Sequence, residues 1–98
     1  MKGNGRKRRE AFNKLLSRVI DVINYFSVDY TICFSHLSQN SAYIEIFGIT
    51  VRVSDHGDLK KRHFIFNFRS YKPENELSKE LLLFRKFIIK TKKHVVNN

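Results

Sequence analysis

The chain has 98 residues, enough for one domain with a single hydrophobic core and too few for a second. Nineteen Lys and Arg against nine Asp and Glu give a formal net charge of +10. Such a charge favours polyanionic partners: nucleic acid, a ribonucleoprotein, or an acidic membrane or protein surface. A large net charge also keeps a protein soluble, which requires no such partner. The single cysteine, Cys33, excludes an internal disulfide, and no apolar run approaches the length of a membrane span or a signal peptide. We therefore expect an intracellular protein.

The first residues of the chain are basic and lack apolar anchors. Residues 1–9 contain two glycines, five cationic residues and no apolar residue after Met1, which predicts a disordered basic arm. Residues 10–98 are predicted to form a single domain whose first helix begins near Glu10. Apolar side chains recur on one face of that helix at Phe12, Leu15, Leu16, Val19, Val22, Ile23 and Phe26. This face is expected to pack on a sheet.

The middle of the chain alternates between apolar and polar residues, which is typical of strands. A half-buried strand is predicted from about Val28 to Ser35. The segment 41–54 predicts a hairpin around a two-residue turn at Phe47-Gly48. This register pairs apolar residues on one side: Ile46 with Ile49, Ile44 with Val51, and Ala42 with Val53. The other side is polar and places Arg52 directly opposite Tyr43, where a guanidinium can lie against an aromatic ring.

The last third of the chain predicts a turn, a fourth strand and a second helix. Asp55 to Asp58 is turn material, and the strand that follows has a wholly aromatic inward face at Phe64, Phe66 and Phe68. Pro73 suits the first turn of the helix, acidic residues follow it, and lysines gather at the other end. The predicted buried stripe of this helix is Leu77, Leu81, Phe84 and Ile88.

These elements predict an α+β fold, an antiparallel sheet of three to four strands with both helices on one face. The order is α-β-β-β-β-α, or α-β-β-β-α as in a double-stranded-RNA-binding fold if Phe47-Gly48 is a bulge in one continuous strand. The opposite face of the sheet is predicted to be exposed. It would present Thr31, Cys33, Ser35, Tyr43, Glu45, Thr50, Arg52, Ser54, His63, Ile65, Asn67 and Arg69.

Catalytic chemistry finds little support in the sequence. Asp55, His56, Asp58 and His63 are the only residues grouped like metal ligands, but their spacing matches no zinc signature and a plain turn explains them better. Cys33 and His56 lack a third orienting group, and no glycine-rich phosphate loop follows a strand. We therefore predict a protein that is not an enzyme and that uses no cofactor or metal.

Candidate binding residues fall into two groups. Arg52, Ser54 and His56 project to one side at the end of the hairpin, where they could bind a partner. Alternatively they stabilise the hairpin itself, with Arg52 stacked on Tyr43 and Ser54 or Asp55 capping the turn. The second group is the basic runs, whose phosphate contacts would be independent of base sequence. These runs are Arg6, Lys7, Arg8, Arg9, then Lys60, Lys61, Arg62, and finally Lys86, Lys90, Lys92 and Lys93.

Three short stretches, Ser41-Ala-Tyr, Phe47-Gly and Arg52-Val-Ser-Asp-His, resemble the broad-spectrum anti-CRISPR proteins that phages direct against type II-A systems. That family has Ser-Ala-Tyr, Phe-Gly and Arg-Leu-Ser-Asn-His in the same order. The likeness extends more loosely to a basic arm, a helix before the hairpin, and a strand and Lys-rich helix after it. About sixty residues are covered, of which some ten are specific. Asp55 stands where the family has Asn, and the arm and the loop after His56 are shorter.

The resemblance implies a protein that binds a guide-RNA-loaded CRISPR effector nuclease and blocks DNA targeting in the cytoplasm of an infected or prophage-carrying bacterial cell, without chemistry of its own. The matched positions are Tyr43, Arg52, Ser54 and His56, and the arm cations correspond by composition. With the loop cations Lys60, Lys61 and Arg62 they form the predicted partner-binding set. Two alternatives stay open: a general nucleic-acid-binding module of a mobile element and, less favoured, a metal-dependent nuclease fragment.

Overall fold

The computed structural model of the chain describes residues 2–35, 40–54, 64–67 and 74–96. The elements, in chain order, are α1 (Lys2–Tyr25), β1 (Thr31–Phe34), β2 (Ser41–Ile46), β3 (Ile49–Ser54), β4 (Phe64–Asn67) and α2 (Glu74–Val96). The predicted α+β fold and the predicted order α-β-β-β-β-α are confirmed.

The first helix starts earlier than its composition suggested. Residues 1–9 were predicted to be a disordered arm and the helix to start near Glu10, whereas α1 begins at Lys2. Once the apolar part of a helix is held by packing, each further residue is added without a new nucleation step. Arg and Lys are good helix formers, and Arg6 pairs with Glu10 one turn later at 3.5 Å. Helix propagation therefore outweighs the poor helix propensity of Gly3 and Gly5.

The end of α1 is closed by a Schellman motif. The Val28 amide donates to the Ile23 carbonyl at 3.2 Å and the Ser27 amide donates to the Asn24 carbonyl at 3.0 Å. Ser27 takes the left-handed conformation, φ 54°, that this motif requires. From the other helix, Lys92 donates through Nζ to the Phe26 carbonyl. A cation thus lies at the negative end of α1 and ties the two helices together.

The predicted hairpin and its register are confirmed. Ile46 pairs with Ile49, Ile44 with Val51, Tyr43 with Arg52 and Ala42 with Val53. Phe47 and Gly48 both have positive φ, 51° and 78°, which identifies a two-residue turn of type I′ and excludes the bulged continuous strand of the double-stranded-RNA-binding order. A large side chain is uncommon at positive φ. The ring of Phe47 is half-buried against the core, and this burial compensates for the unfavourable backbone conformation.

The direction of the last strand differs from the predicted antiparallel arrangement. The sheet order is β1-β2-β3-β4, with β1 and β3 antiparallel to β2, but β4 runs parallel to β3 and places Phe64 beside Val51 and Phe66 beside Val53. Side-chain alternation depends on residue parity and not on strand direction, so the aromatic pattern could not reveal this. A parallel neighbour requires the connecting chain to return along the sheet. Residues 55–63, which make that connection, lie outside the described residues.

Both helices pack on one face of the sheet, as predicted. The core combines the apolar stripe of α1, the alternate residues of β2 and β3, Phe66 of β4, and Leu81, Phe84 and Ile88 of α2. Leu77 is only partly buried, and Phe68 lies outside the described residues. Four rings, which we call the aromatic cluster, join β4 to α2 with centroid distances of 5.0–6.4 Å: Phe64, Phe66, Phe84 and Phe87. No described helix is both long and apolar enough to cross a membrane.

Candidate partner-binding surface

The polar side of the hairpin is buried near the end of β3. Arg52 is 6% exposed and Ser54 is fully buried, whereas the alternation pattern had predicted both on an open face. The Arg52 guanidinium carbon lies 5.3 Å from the centroid of the Tyr43 ring, directly across the ladder. Because β3 lies between β2 and β4, its side chains have neighbouring strands on both sides. This geometry supports the interpretation in which Arg52 stacks on Tyr43 and serves the hairpin itself.

Two serines face each other at the same end of the hairpin. Ser41 pairs with Ser54 in the ladder, and both are buried, at 1% and 0% exposure. The Ser35 amide donates to the Ser41 carbonyl at 3.0 Å and extends the pairing of β1 with β2 by one residue. The Ser41 hydroxyl has no hydrogen-bond partner in the part of the chain that the structure describes. Two small polar residues thus occupy the buried end of the hairpin, where β2 begins and β3 ends.

The four predicted arm cations form an exposed cationic turn on α1. Arg6, Lys7, Arg8 and Arg9 all have exposed side chains. Arg6 makes its ion pair with Glu10 while 85% exposed, so the pair adds little stability. The Arg9 Cζ atom lies 5.9 Å from the ring centroid of Phe12, which is fully buried. The cationic turn is thus carried on a regular helix directly next to the core.

Ring contacts and strand pairing locate the cationic turn relative to the sheet. Phe12 makes an edge contact with Phe34 at 6.5 Å, and Phe34 is the last residue of β1. Phe34 pairs with Ala42, which pairs with Val53, the neighbour of Ser54. Arg9 and the end of β3 therefore lie at the same end of the molecule. We call this region the basic end: the cationic turn Arg6 to Arg9 of α1 together with Ser54.

The other predicted site residues are distributed as follows. His56, Lys60, Lys61 and Arg62 lie outside the described residues, and so do Asp55, Asp58 and His63 of the candidate metal cluster. Cys33 is exposed on β1, an edge strand. Within the described ranges, no three His, Cys, Asp or Glu side chains are grouped to hold a metal ion.

One surface of α2 was missed by the sequence reasoning. Leu82, Leu83 and Ile89 are 49%, 60% and 44% exposed, although only the buried stripe of α2 had been considered. A signal was present in the sequence, because Leu81 to Leu83 are consecutive and a helix turns successive residues away from one another. Only Leu81 of the three is buried. The others are available to contact a partner.

No family model, no curated protein and no solved structure matches this chain.

Proposed function

We propose that this protein is a non-enzymatic inhibitor that binds a guide-RNA-loaded CRISPR effector nuclease and blocks its access to target DNA in a bacterial cytoplasm. The observation that supports this most is the basic end. Four consecutive exposed cations lie on α1, at the same end of the molecule as the end of β3, which carries part of the anti-CRISPR-like motif. The net charge of +10 gives the whole chain a field that attracts a ribonucleoprotein.

Within this proposal the hairpin and the cationic turn have separate roles. Arg52 and Tyr43 stack on each other and fix the end of β3, so Arg52 is a positioning residue and not a direct contact. Lys7, Arg8 and Arg9 have exposed side chains, which can meet guide-RNA phosphates or acidic protein groups that normally serve DNA engagement. A helix holds these charges at fixed spacing, which reduces the ordering entropy that a disordered arm would lose on binding.

The test measures guide dependence and inhibition together. The full-length chain is titrated against a type II-A effector nuclease with and without guide RNA, and cleavage of a target duplex is followed in the same samples. We expect binding to the guide-loaded form only, inhibition of cleavage, and weakening as salt rises. Binding without inhibition, or no binding to any type II-A complex, contradicts the proposal.

Matched charge variants locate the contact. Replacing Lys7, Arg8 and Arg9 with Gln removes three charges from the basic end and keeps helix propensity. Replacing the exposed residues Lys14, Lys79 and Arg85 with Gln removes the same charge elsewhere. We expect the first variant to lose about tenfold or more in affinity, or about 1.4 kcal/mol, and the second to lose much less. Equal losses would mean that net charge alone drives association.

The alternative function is a general nucleic-acid-binding module of a mobile element, and the net charge by itself favours it equally. It predicts comparable affinity for unrelated duplex RNA or DNA and no requirement for the nuclease. Those nucleic acids are therefore included in the same titration as competitors. Displacement of the nuclease by unrelated duplex at similar concentration favours this alternative.

A further inference from the structure

The outer surface of α2 combines exposed aliphatic side chains with a concentration of positive charge. Leu82 and Ile89 are 49% and 44% exposed and stand at i and i+7, two helical turns or about 10 Å apart on one side of the helix. Arg85, Lys86 and Lys93 are exposed on the same side. We call these five residues the outer stripe.

The outer stripe is distinct from the face that holds α2 on the domain. Leu81, Phe84 and Ile88 make that buried face, and Lys92 reaches the Phe26 carbonyl of α1. A single exposed leucine is ordinary, and Leu is in any case a good helix former. Ile is not preferred at exposed helical positions, because its branched Cβ restricts rotation there. Its alignment with Leu82 gives two aliphatic anchors on one line.

The charge around these anchors is of one sign. No Asp or Glu occurs between Leu81 and Asn98, whereas Arg85, Lys86, Lys90, Lys92 and Lys93 lie in that stretch. Aliphatic anchors flanked by cations are complementary to a surface with aliphatic side chains flanked by carboxylates. A second helix laid along the stripe presents its own anchors at the same two-turn spacing.

We propose that the outer stripe docks an acidic amphipathic helix of a partner protein. A second copy of this chain is disfavoured, since it would bring like charges together at the contact. The stripe contains no aromatic side chain for base stacking, so single-stranded nucleic acid does not use its aliphatic anchors. A lipid surface is disfavoured because the main apolar face of α2 is already buried in the core. This proposal goes beyond the inhibitor function and does not depend on it.

The probe is a fluorescein-labelled helical peptide with leucines on one face and glutamates on both flanks, compared with a scrambled peptide of the same composition. Fluorescence anisotropy measures binding to the full-length chain at physiological salt. We expect the patterned peptide to bind at least about tenfold more tightly than the scrambled one, a difference of about 1.4 kcal/mol. Equal binding of the two peptides overturns the proposal, because net charge would then explain the association.

The variants separate the stripe from the rest of α2. Leu82→Gln with Ile89→Gln removes both anchors, and Leu83→Gln is the control, since Leu83 is 60% exposed but lies on another side of the helix. We expect the double variant to abolish the preference for the patterned peptide and the control to retain it. Thermal unfolding verifies that all variants are folded. A preference that survives in the double variant overturns the proposal.

The other occupants are tested in parallel. Vesicles of phosphatidylserine and phosphatidylcholine are sedimented with the same variants, and the chain alone is examined by analytical ultracentrifugation. Vesicle binding that requires Leu82 and Ile89 and exceeds peptide binding assigns the stripe to a lipid surface and overturns the proposal. Self-association that the double variant removes assigns it to a second copy, with the same consequence. The variant of Lys7, Arg8 and Arg9 retains peptide binding if the two surfaces act separately.

Discussion

The two sides of the β2–β3 hairpin are both buried near the end of β3, but by different kinds of side chain. The side that faces the helices contains Ala42, Ile44, Val51 and Val53, each fully buried. The other side contains Ser41, Arg52 and Ser54, all under a tenth exposed, with Tyr43 beneath the guanidinium. Apolar burial tolerates substitutions of similar volume, whereas burial of polar groups depends on specific partners.

Ser41, Tyr43, Arg52 and Ser54 all come from the stretches that resemble anti-CRISPR proteins, and all four lie on the polar side of the hairpin. Ser41 pairs with Ser54, and Tyr43 pairs with Arg52, so these residues support the local structure of the hairpin. Under the proposed function, the exposed charges of the basic end would contact the partner, and the motif residues would hold the end of β3 in place.

The largest expected effect comes from breaking the apolar side. Phe66 is 2% exposed and contacts Phe64 and Phe84 in the aromatic cluster. Phe66→Ala leaves a cavity between β4 and α2 and is expected to lower the free energy of unfolding by about 3–5 kcal/mol. Urea denaturation measures this, with Ile65→Ala as the control because Ile65 is 38% exposed on the opposite face. Similar losses for the two variants would contradict the core described above.

A smaller effect is expected on the polar side. Arg52→Ala removes a buried cation from the Tyr43 ring and is expected to cost about 2 kcal/mol. Arg52→Met restores most of the aliphatic packing without the charge and separates the two contributions. The affinity for the nuclease, measured per folded molecule, should be unchanged in both variants. A loss of affinity with unchanged melting would instead make Arg52 a contact residue.

The smallest effect is expected at Ser41. Its hydroxyl is buried without a hydrogen-bond partner among the described residues, so Ser41→Ala removes a polar group that gains nothing from burial. We expect the free energy of unfolding to stay the same or rise by up to about 1 kcal/mol. Ser41→Val, which adds volume at the same position, is expected to destabilise the hairpin. Thermal melting of the two variants tests this: a clear loss of stability in Ser41→Ala would show that the hydroxyl forms a stabilising contact.

Sequence patterns predicted the hairpin because two independent signals agreed. Apolar alternation fixed the facing pairs, and Gly48 allowed the positive φ of a two-residue turn. The sequence pattern does not show the direction of β4, since Phe64 and Phe66 face the helices whether the strand is parallel or antiparallel to β3. The helical structure of the cationic turn was not predicted, because the composition of residues 1–9 does not show that a helix packed on the core can extend into them.

Burial of the candidate site residues was the hardest feature to anticipate. A polar residue on the side of a strand opposite to the core is normally assigned to solvent, and Arg52 and Ser54 were so assigned. The facing of Arg52 and Tyr43 did follow from register alone, and it is confirmed. What register cannot supply is the accessibility of the pair, which depends on tertiary neighbours far away in the sequence.

The parallel pairing of β4 has a consequence for the order of folding. β1, β2 and β3 pair through short connections along the chain, whereas β4 joins only after the chain has returned along the sheet. Closing that longer loop costs entropy before any contact offsets it, so β4 and the α2 rings that hold it should dock last and open first. In native-state hydrogen exchange we expect β4 amides to exchange through a lower-energy opening than those of β2 and β3, together with the turns of α2 that carry Phe84 and Phe87. Uniform protection across all four strands would show a single cooperative unit instead.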